Sequence, residues 1–130
     1  MKHLLLTTLF FFFISLLTAT AADYQVMTKE ELREQLNSPE LIIIDARSRS
    51  QWDASKFKIP GAAWMPSERI DLWADKLPRN KKVVIYCACM GLGASGRLAG
   101  QLVSEGFQRV YALQGGWNGW QEGSYPLEEK

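Results

Sequence analysis

The chain has 130 residues, with 15 lysines and arginines against 14 acidic residues. Near-neutrality argues against nucleic acid or an anionic membrane surface as the main partner. Two cysteines and a single histidine, His3, cannot complete a structural zinc site, and beyond residue 3 there is no histidine for a Ser-His-Asp triad or a Cys-His dyad. Lys2 and His3 open the chain, and Leu4 to Leu17 is apolar apart from two threonines and one serine. Thr18-Ala19-Thr20-Ala21-Ala22 then leads into Asp23. This has the form of a secretory signal peptide over residues 1–22, cut after Ala21 or Ala22. The alternative is an uncleaved membrane anchor. The expectation is an exported protein, periplasmic or secreted, with one domain over residues 23–130, off the membrane once the leader is cut.

Thr28-Lys29-Glu30-Glu31 has capping-box spacing and predicts a helix from Lys29 to about Leu36, stopped near Asn37-Ser38-Pro39. Leu41 to Ala46 is apolar on both faces until Asp45, as a central strand of a covered parallel sheet would be. Ile59 to Met65 reads as a shorter edge strand with proline near its start. Ser67 to Leu77 has helical spacing through Ile70, Trp73 and Leu77. Lys82 to Cys87 is a second buried strand. Ser95 to Glu105 follows as a helix with Leu98, Leu102 and Val103 inward and Gly106 just past its end. Arg109 to Leu113 is a strand, and Gly115 to Trp120 turns into a short final helix. Strands alternating with helices predict an α/β fold around a parallel sheet. Ligands of such sheets sit beyond the carboxyl ends of the strands, where Asp45 and Cys87 both lie.

The stretch Tyr86-Cys87-Ala88-Cys89-Met90-Gly91-Leu92-Gly93-Ala94-Ser95 holds both cysteines. A strand delivers a thiol, glycines let backbone N–H groups converge, and a helix start near Ser95 adds partial positive charge. Such an arrangement holds an anion or a thiolate, and a helix N-terminus lowers a thiol's pKa. A Cys-x-Cys disulfide closes almost no loop and would add little stability. The pair therefore reads as chemistry rather than as a staple, against the plainer reading of a strand-end cysteine packed as a small hydrophobe.

Four segments together resemble the single-domain rhodaneses, a sulfurtransferase family. Ile43-Ile44-Asp45-Ala46-Arg47, with Trp52 beyond it, resembles the family's strand ending in Asp-x-Arg. Lys58-Ile59-Pro60-Gly61-Ala62 is similar to its His-Ile-Pro-Gly-Ala segment, with lysine for histidine. Val84-Ile85-Tyr86-Cys87 resembles the strand that carries the nucleophile. Gly115-Gly116-Trp117-Asn118-Gly119-Trp120 is similar to its closing Gly-Gly-x-x-x-Trp. The resemblance implies a five-stranded, mostly parallel sheet with helices on both faces. It also implies a cysteine persulfide that takes sulfur from a small sulfane-sulfur donor and gives it to a thiol or protein acceptor. The loop of Ala88, Met90, Gly91, Leu92, Gly93, Ala94 and Ser95 would cradle that persulfide, with no metal and no organic cofactor.

The loop departs from the family pattern of cysteine, four residues, arginine, then serine. Counting back from Ser95 selects Cys89 as nucleophile and puts Ala94 in the arginine slot. Strand register selects Cys87, so both stay candidates, the second cysteine serving as a possible resolving thiol. Without that arginine, thiosulfate should bind poorly unless Arg97 reaches over, and a thiol persulfide or polysulfide suits the loop better. Arg47 is a second possible anion contact, although pairing with Asp45 or Asp53 is its expected role. A catalytically idle module for protein binding or thiol-redox sensing is the competing reading. Trp64, Trp73, Trp117 and Trp120 are expected in the core, Lys58 in solvent, and Lys81-Lys82 as sheet-edge protection.

Overall fold

The computed structural model describes residues 24–88 and 91–130. The leader, Cys89 and Met90 lie outside the described residues. The chain begins with β1 (Gln25–Met27), α1 (Lys29–Gln35), β2 (Leu41–Asp45) and α2 (Arg49–Ala54). It continues through β3 (Phe57–Lys58), β4 (Ala63–Trp64), α3 (Ile70–Trp73) and β5 (Lys82–Tyr86), and ends with α4 (Gly93–Ser104), β6 (Arg109–Leu113), α5 (Gly116–Glu122) and β7 (Glu128–Glu129).

Five strands form one sheet in the order β1-β6-β5-β2-β4, and every pairing within it is parallel. β3 and β7 pair antiparallel as a separate ribbon. β5 is central because it is apolar on both faces: Val83 and Ile85 face Leu98, Ala99 and Leu102 of α4, with Trp73 of α3 in the same layer. Val84 and Tyr86 face the other way, toward Leu32 of α1 and Trp117 and Trp120 of α5. Val83, Val84 and Ile85 are all fully buried, and each contributes about 1.5–3 kcal/mol by leaving water.

Local signals account for several boundaries. Thr28 Oγ1 accepts from Glu31 N and the Glu31 carboxylate accepts from Thr28 N, closing the predicted capping box. Gly106, at φ +95°, ends α4; its N–H donates to Val103 O and that of Phe107 to Leu102 O, which joins two buried side chains across the cap. The segment Ser67–Leu77 is not one helix. It is a 3₁₀ turn, the four residues of α3 and a second 3₁₀ turn, and Leu77 goes extended before Pro78. The predicted strand Ile59–Met65 shrinks to β4, because Ile59–Ala62 is a turn with Gly61 at φ +79°.

Candidate functional site

Cys87 follows the last residue of β5. Asp45 pairs in register with Tyr86, so β2 and β5 end level. The Cys87 residue is 3% exposed and disulfide-bonded. Its carbonyl accepts a 2.9 Å hydrogen bond from Trp117 N, at the first turn of α5. That approach depends on Gly116: its φ is +52°, and a Cβ there would lie 2.4 Å from the Cys87 oxygen. Gly115, at φ +79°, precedes it as the N-cap of α5. The double glycine thus holds α5 against the backbone of the cysteine.

Beneath this point lies a buried ionic cluster. The Asp45 carboxylate accepts from Arg47 N at 3.0 Å, from Arg47 Nε at 3.0 Å, from Arg47 Nη2 at 2.7 Å and from the Tyr86 hydroxyl at 2.5 Å. The Arg47 and Asp45 side chains are 1% and 0% exposed. Arg47 Cζ sits 4.2 Å from the Trp117 ring centre and 5.3 Å from that of Trp52, so aromatic faces take part of its charge. Nη1 has no hydrogen-bond partner among the described residues. Arg47 therefore pairs with Asp45; Asp53 takes Arg49 instead. Burial pushes the Tyr86 hydroxyl pKa far above its ordinary value, and the adjacent Asp45 carboxylate adds to the rise; the Ile59 N–H and Arg47 oppose it.

A cleft of about 590 Å³ opens beside the cysteine between α2 and α5. Ala88, the residue after Cys87, forms part of its wall together with Arg47, Phe57 and Trp117. Gln51, Lys56, Asn118 and Gln121 add polar groups.

The whole architecture from Thr28 to Gly123 matches the model of the rhodanese-like domain, residues 28–123. The chain belongs to the rhodanese-like family. It is 26% identical over 103 residues to the thiosulfate sulfurtransferase GlpE of Glaesserella parasuis serovar 5, covering 78% of this chain and 91% of that one. A sulfurtransferase of Allochromatium vinosum is 28% identical over 100 residues, covering 75% and 89%. Among solved structures, Alr3790 from Anabaena superposes with a TM-score of 0.70 at 28% identity, covering 80% and 82% of the two chains. SseA from Escherichia coli, a 3-mercaptopyruvate sulfotransferase, gives 0.66 at 26% identity, covering 82% and 51%.

Within this rhodanese-like fold the loop differs from its reading in the sequence. α4 starts at Gly93 with Leu92 at the N-cap and no side-chain cap. Ser95 is buried in the first turn, and its hydroxyl donates back to Leu92 O at 3.1 Å, so it is not the capping residue. Gly91 takes φ +68°, a left-handed turn. Ala94 and Arg97 line a second, smaller groove with Ser67, Glu68 and Gln101, while Ala88 and Arg47 line the α2–α5 cleft.

Three further expectations change. Lys58 is not a solvated lysine: its Nζ donates to Ala62 O at 2.9 Å and lies 3.9 Å from Glu128, tying the Ile59–Ala62 turn to β7. Lys81 and Lys82 do not guard an edge, because β5 is central; Lys81 reaches Pro39 O in the turn before β2, and Lys82 reaches Gln35 Oε1 and ties α1 to the amino end of the sheet. Trp73, Trp117 and Trp120 are buried, whereas Trp64 is half-buried and stacks on Trp52 at 6.0 Å. The cleft residues Gln51, Lys56, Asn118 and Gln121 were not singled out from the sequence as site residues. Only the Ser48-x-x-Gln51 capping box, which the structure forms, could have located α2.

Proposed function

We propose that the chain is a sulfur carrier that works through a persulfide on Cys87 and takes its sulfur from a thiol persulfide or polysulfide rather than from thiosulfate. The observation that carries this reading is the position of Cys87. It stands at the carboxyl end of the central strand, its carbonyl is held by α5, and the next residue lines a cleft that opens to solvent. The Cys87 thiolate attacks the outer sulfur of R–S–SH; the donor S–S bond breaks, R–S⁻ leaves, and Cys87–S–SH remains. An acceptor thiolate then attacks the terminal sulfur and carries it away, restoring the Cys87 thiolate. Glycine-rich loop N–H groups and the start of α4 favour the anionic forms.

We propose a second step at the same site, in keeping with the disulfide bond at Cys87. The Cys89 thiolate attacks the inner sulfur of Cys87–S–SH, forms the Cys87–Cys89 disulfide and releases HS⁻. An external dithiol must then reduce that disulfide. We also propose that this chemistry takes place after export, directed by residues 1–22. A free-thiol count on protein recovered from the exported fraction gives the working redox state there.

The test is to reduce the protein, add a thiol persulfide and weigh it intact. One added sulfur retained on Cys89→Ser, none on Cys87→Ser, and on the wild type loss of two hydrogens with release of HS⁻, is the expected result. An adduct that needs Cys89 and survives Cys87→Ser moves the nucleophile, and no adduct with any donor leaves a binding or redox-sensing module. Faster turnover with thiosulfate than with a thiol persulfide would overturn the donor assignment.

A further inference from the structure

Residues 124–130 lie beyond the stretch that matches the family, residues 28–123. They run from the end of α5 back to α2, the two helices on either side of the cleft. The reversal is tight: Ser124 takes φ +57°, alone among the described non-glycine residues, and a Cβ on Gly123 would collide with the Tyr125 ring. The near end is anchored in the core. The buried Trp120 indole donates to Pro126 O at 2.7 Å, the Tyr125 and Trp120 ring centres are 4.8 Å apart, and the Tyr125 hydroxyl donates to Glu30 at 2.7 Å. The far end is held at the surface, by the two-residue pairing of β7 with β3 and a few exposed contacts. Lys130 N donates to Lys56 O at 3.1 Å, and Glu128 accepts from Gly61 N at 2.6 Å. Lys130 Nζ donates to Trp52 O and sits 4.3 Å from the Trp52 ring centre. Every residue from Pro126 to Lys130 is exposed, the apolar Leu127 at 43%.

What the far end holds is the outer wall of the cleft. Ser55 and Lys56 line the cleft on one side and, on the other, a polar groove of about 440 Å³ that Asp53, Glu129 and Lys130 complete. The base of that wall is fixed from within, because Arg47 Nη2 donates to Phe57 O and the Tyr86 hydroxyl accepts from Ile59 N. Further out, Ser55 bonds to its own neighbours, Trp52 O and Phe57, and the Lys56 carbonyl bonds to Lys130 N. We infer that residues 127–130 are a releasable strap. Docked, they hold Ser55 and Lys56 as a partition between cleft and groove. Released, they let the partition swing out and join the two into one trough that takes an extended polypeptide. A segment held by exposed hydrogen bonds and few buried contacts opens far more often than the whole domain unfolds, and the Trp120–Tyr125 anchor keeps its near end in place. This goes beyond the sulfur-carrier reading. The cysteine carries the sulfur there; the strap decides which acceptors reach it, small thiols through the docked cleft and protein-borne thiols after release.

Amide hydrogen exchange on the full chain reads the strap without any sulfur chemistry. The amides of Lys130, Gly61 and Ser55 should exchange as one unit, about a hundredfold faster than Trp117 N on the opposite wall. Lys130→Ala removes the contacts to Trp52 and leaves the backbone bonds. It should speed Gly61 and Ser55 about fivefold, the worth of an exposed cation–aromatic contact with its hydrogen bond, and leave Trp117 unchanged. Glu128→Ala should do the same at Ser55 and Lys130. Loaded with sulfur, both variants should deliver it to a long cysteine-bearing peptide faster by the factor seen in exchange, and to free cysteine at the wild-type rate, because use of a minor open state scales with its population. Exchange of the three amides only with global unfolding, or Ser55 unmoved in both variants, would overturn the strap, as would equal gains for peptide and free cysteine. Coupled exchange in a protein that loads no sulfur would sustain the strap and remove the sulfur-carrier reading, so the two failures are distinguishable.

Discussion

Asp45→Asn is the sharpest test of how the site is held. The carboxylate is fully buried and accepts from two guanidinium nitrogens, a backbone N–H and the Tyr86 hydroxyl, at 2.5 to 3.0 Å. Asparagine keeps the shape, but its amide nitrogen must face donors, and it leaves the Arg47 charge uncompensated at 1% exposure. Losing one partner of a buried pair costs about 3–5 kcal/mol, a large part of the roughly 5–15 kcal/mol that holds a domain together. With a urea m-value of about 1–3 kcal/mol per molar, the unfolding midpoint should fall by roughly 2 M. Arg47→Met should cost a similar amount by stranding the carboxylate. The double variant should cost clearly less than the two singles summed, because it strands neither charge. Tyr86→Phe removes one donor to the carboxylate and the acceptor of the Ile59 N–H but strands no charge, so it should lose about 1–3 kcal/mol, less than Asp45→Asn. A loss under about 1 kcal/mol for Asp45→Asn, typical of an exposed pair such as Arg49–Asp53, would refute the account.

The Tyr86 hydroxyl pKa is raised in the folded state. Above about pH 10 the unfolded chain gives up that proton and the native state keeps it, so stability present below pH 10 is lost as pH rises, by up to about 1.4 kcal/mol per pH unit; urea melts between pH 9 and roughly 11 should show one proton less of pH dependence in Tyr86→Phe. Gly116→Ala and Gly96→Ala should differ sharply. The first drives a Cβ to 2.4 Å from the Cys87 oxygen at φ +52° and should cost about 3 kcal/mol or more along with sulfur loading. The second meets the Tyr24 hydroxyl and its ring carbon, the far end of a side chain, with Leu92 Cβ at ordinary contact, and should stay within about 1 kcal/mol of wild type because helix propensity offsets the contact. Ala94 occupies the arginine slot of the family pattern that the sequence resembles, so on that reading Ala94→Arg should raise kcat/KM for thiosulfate about tenfold; an unchanged value would show that Ala94, which lines the groove of Ser67, Glu68 and Arg97, does not limit that donor.

The parts of the fold legible in the sequence were those with a local cause. β2 and β5 were readable because both of their faces are covered, α1 because Thr28 and Glu31 cap it, and the end of α4 because Gly106 takes a left-handed φ. β1 carried no such signal. It has three residues, two of them exposed, and it exists because Met27 and its neighbours align with β6. The β3–β7 ribbon joins residues 57–58 to 128–129, a pairing no window of sequence contains. Ser67–Leu77 had helical spacing, yet Pro78 and the short turns broke it up.

The same division runs through the site and explains which half of the chemistry the sequence could name. A cysteine at a strand end before glycines is a local pattern, and it is the proposed sulfur carrier. Gly115-Gly116 was legible as a turn, but the reason for Gly116 is a carbonyl on another strand, that of Cys87. The cleft is less local still. Gln51 and Lys56 stand on or just after α2, and Asn118 and Gln121 on α5; each is an ordinary polar residue until the parallel sheet brings the two helices together beyond the carboxyl end of β5. Residues that bind the reacting atom announce themselves by type, because few side chains can do that work. Residues that line a cleft do so by position, and position is what the order β1-β6-β5-β2-β4 supplies.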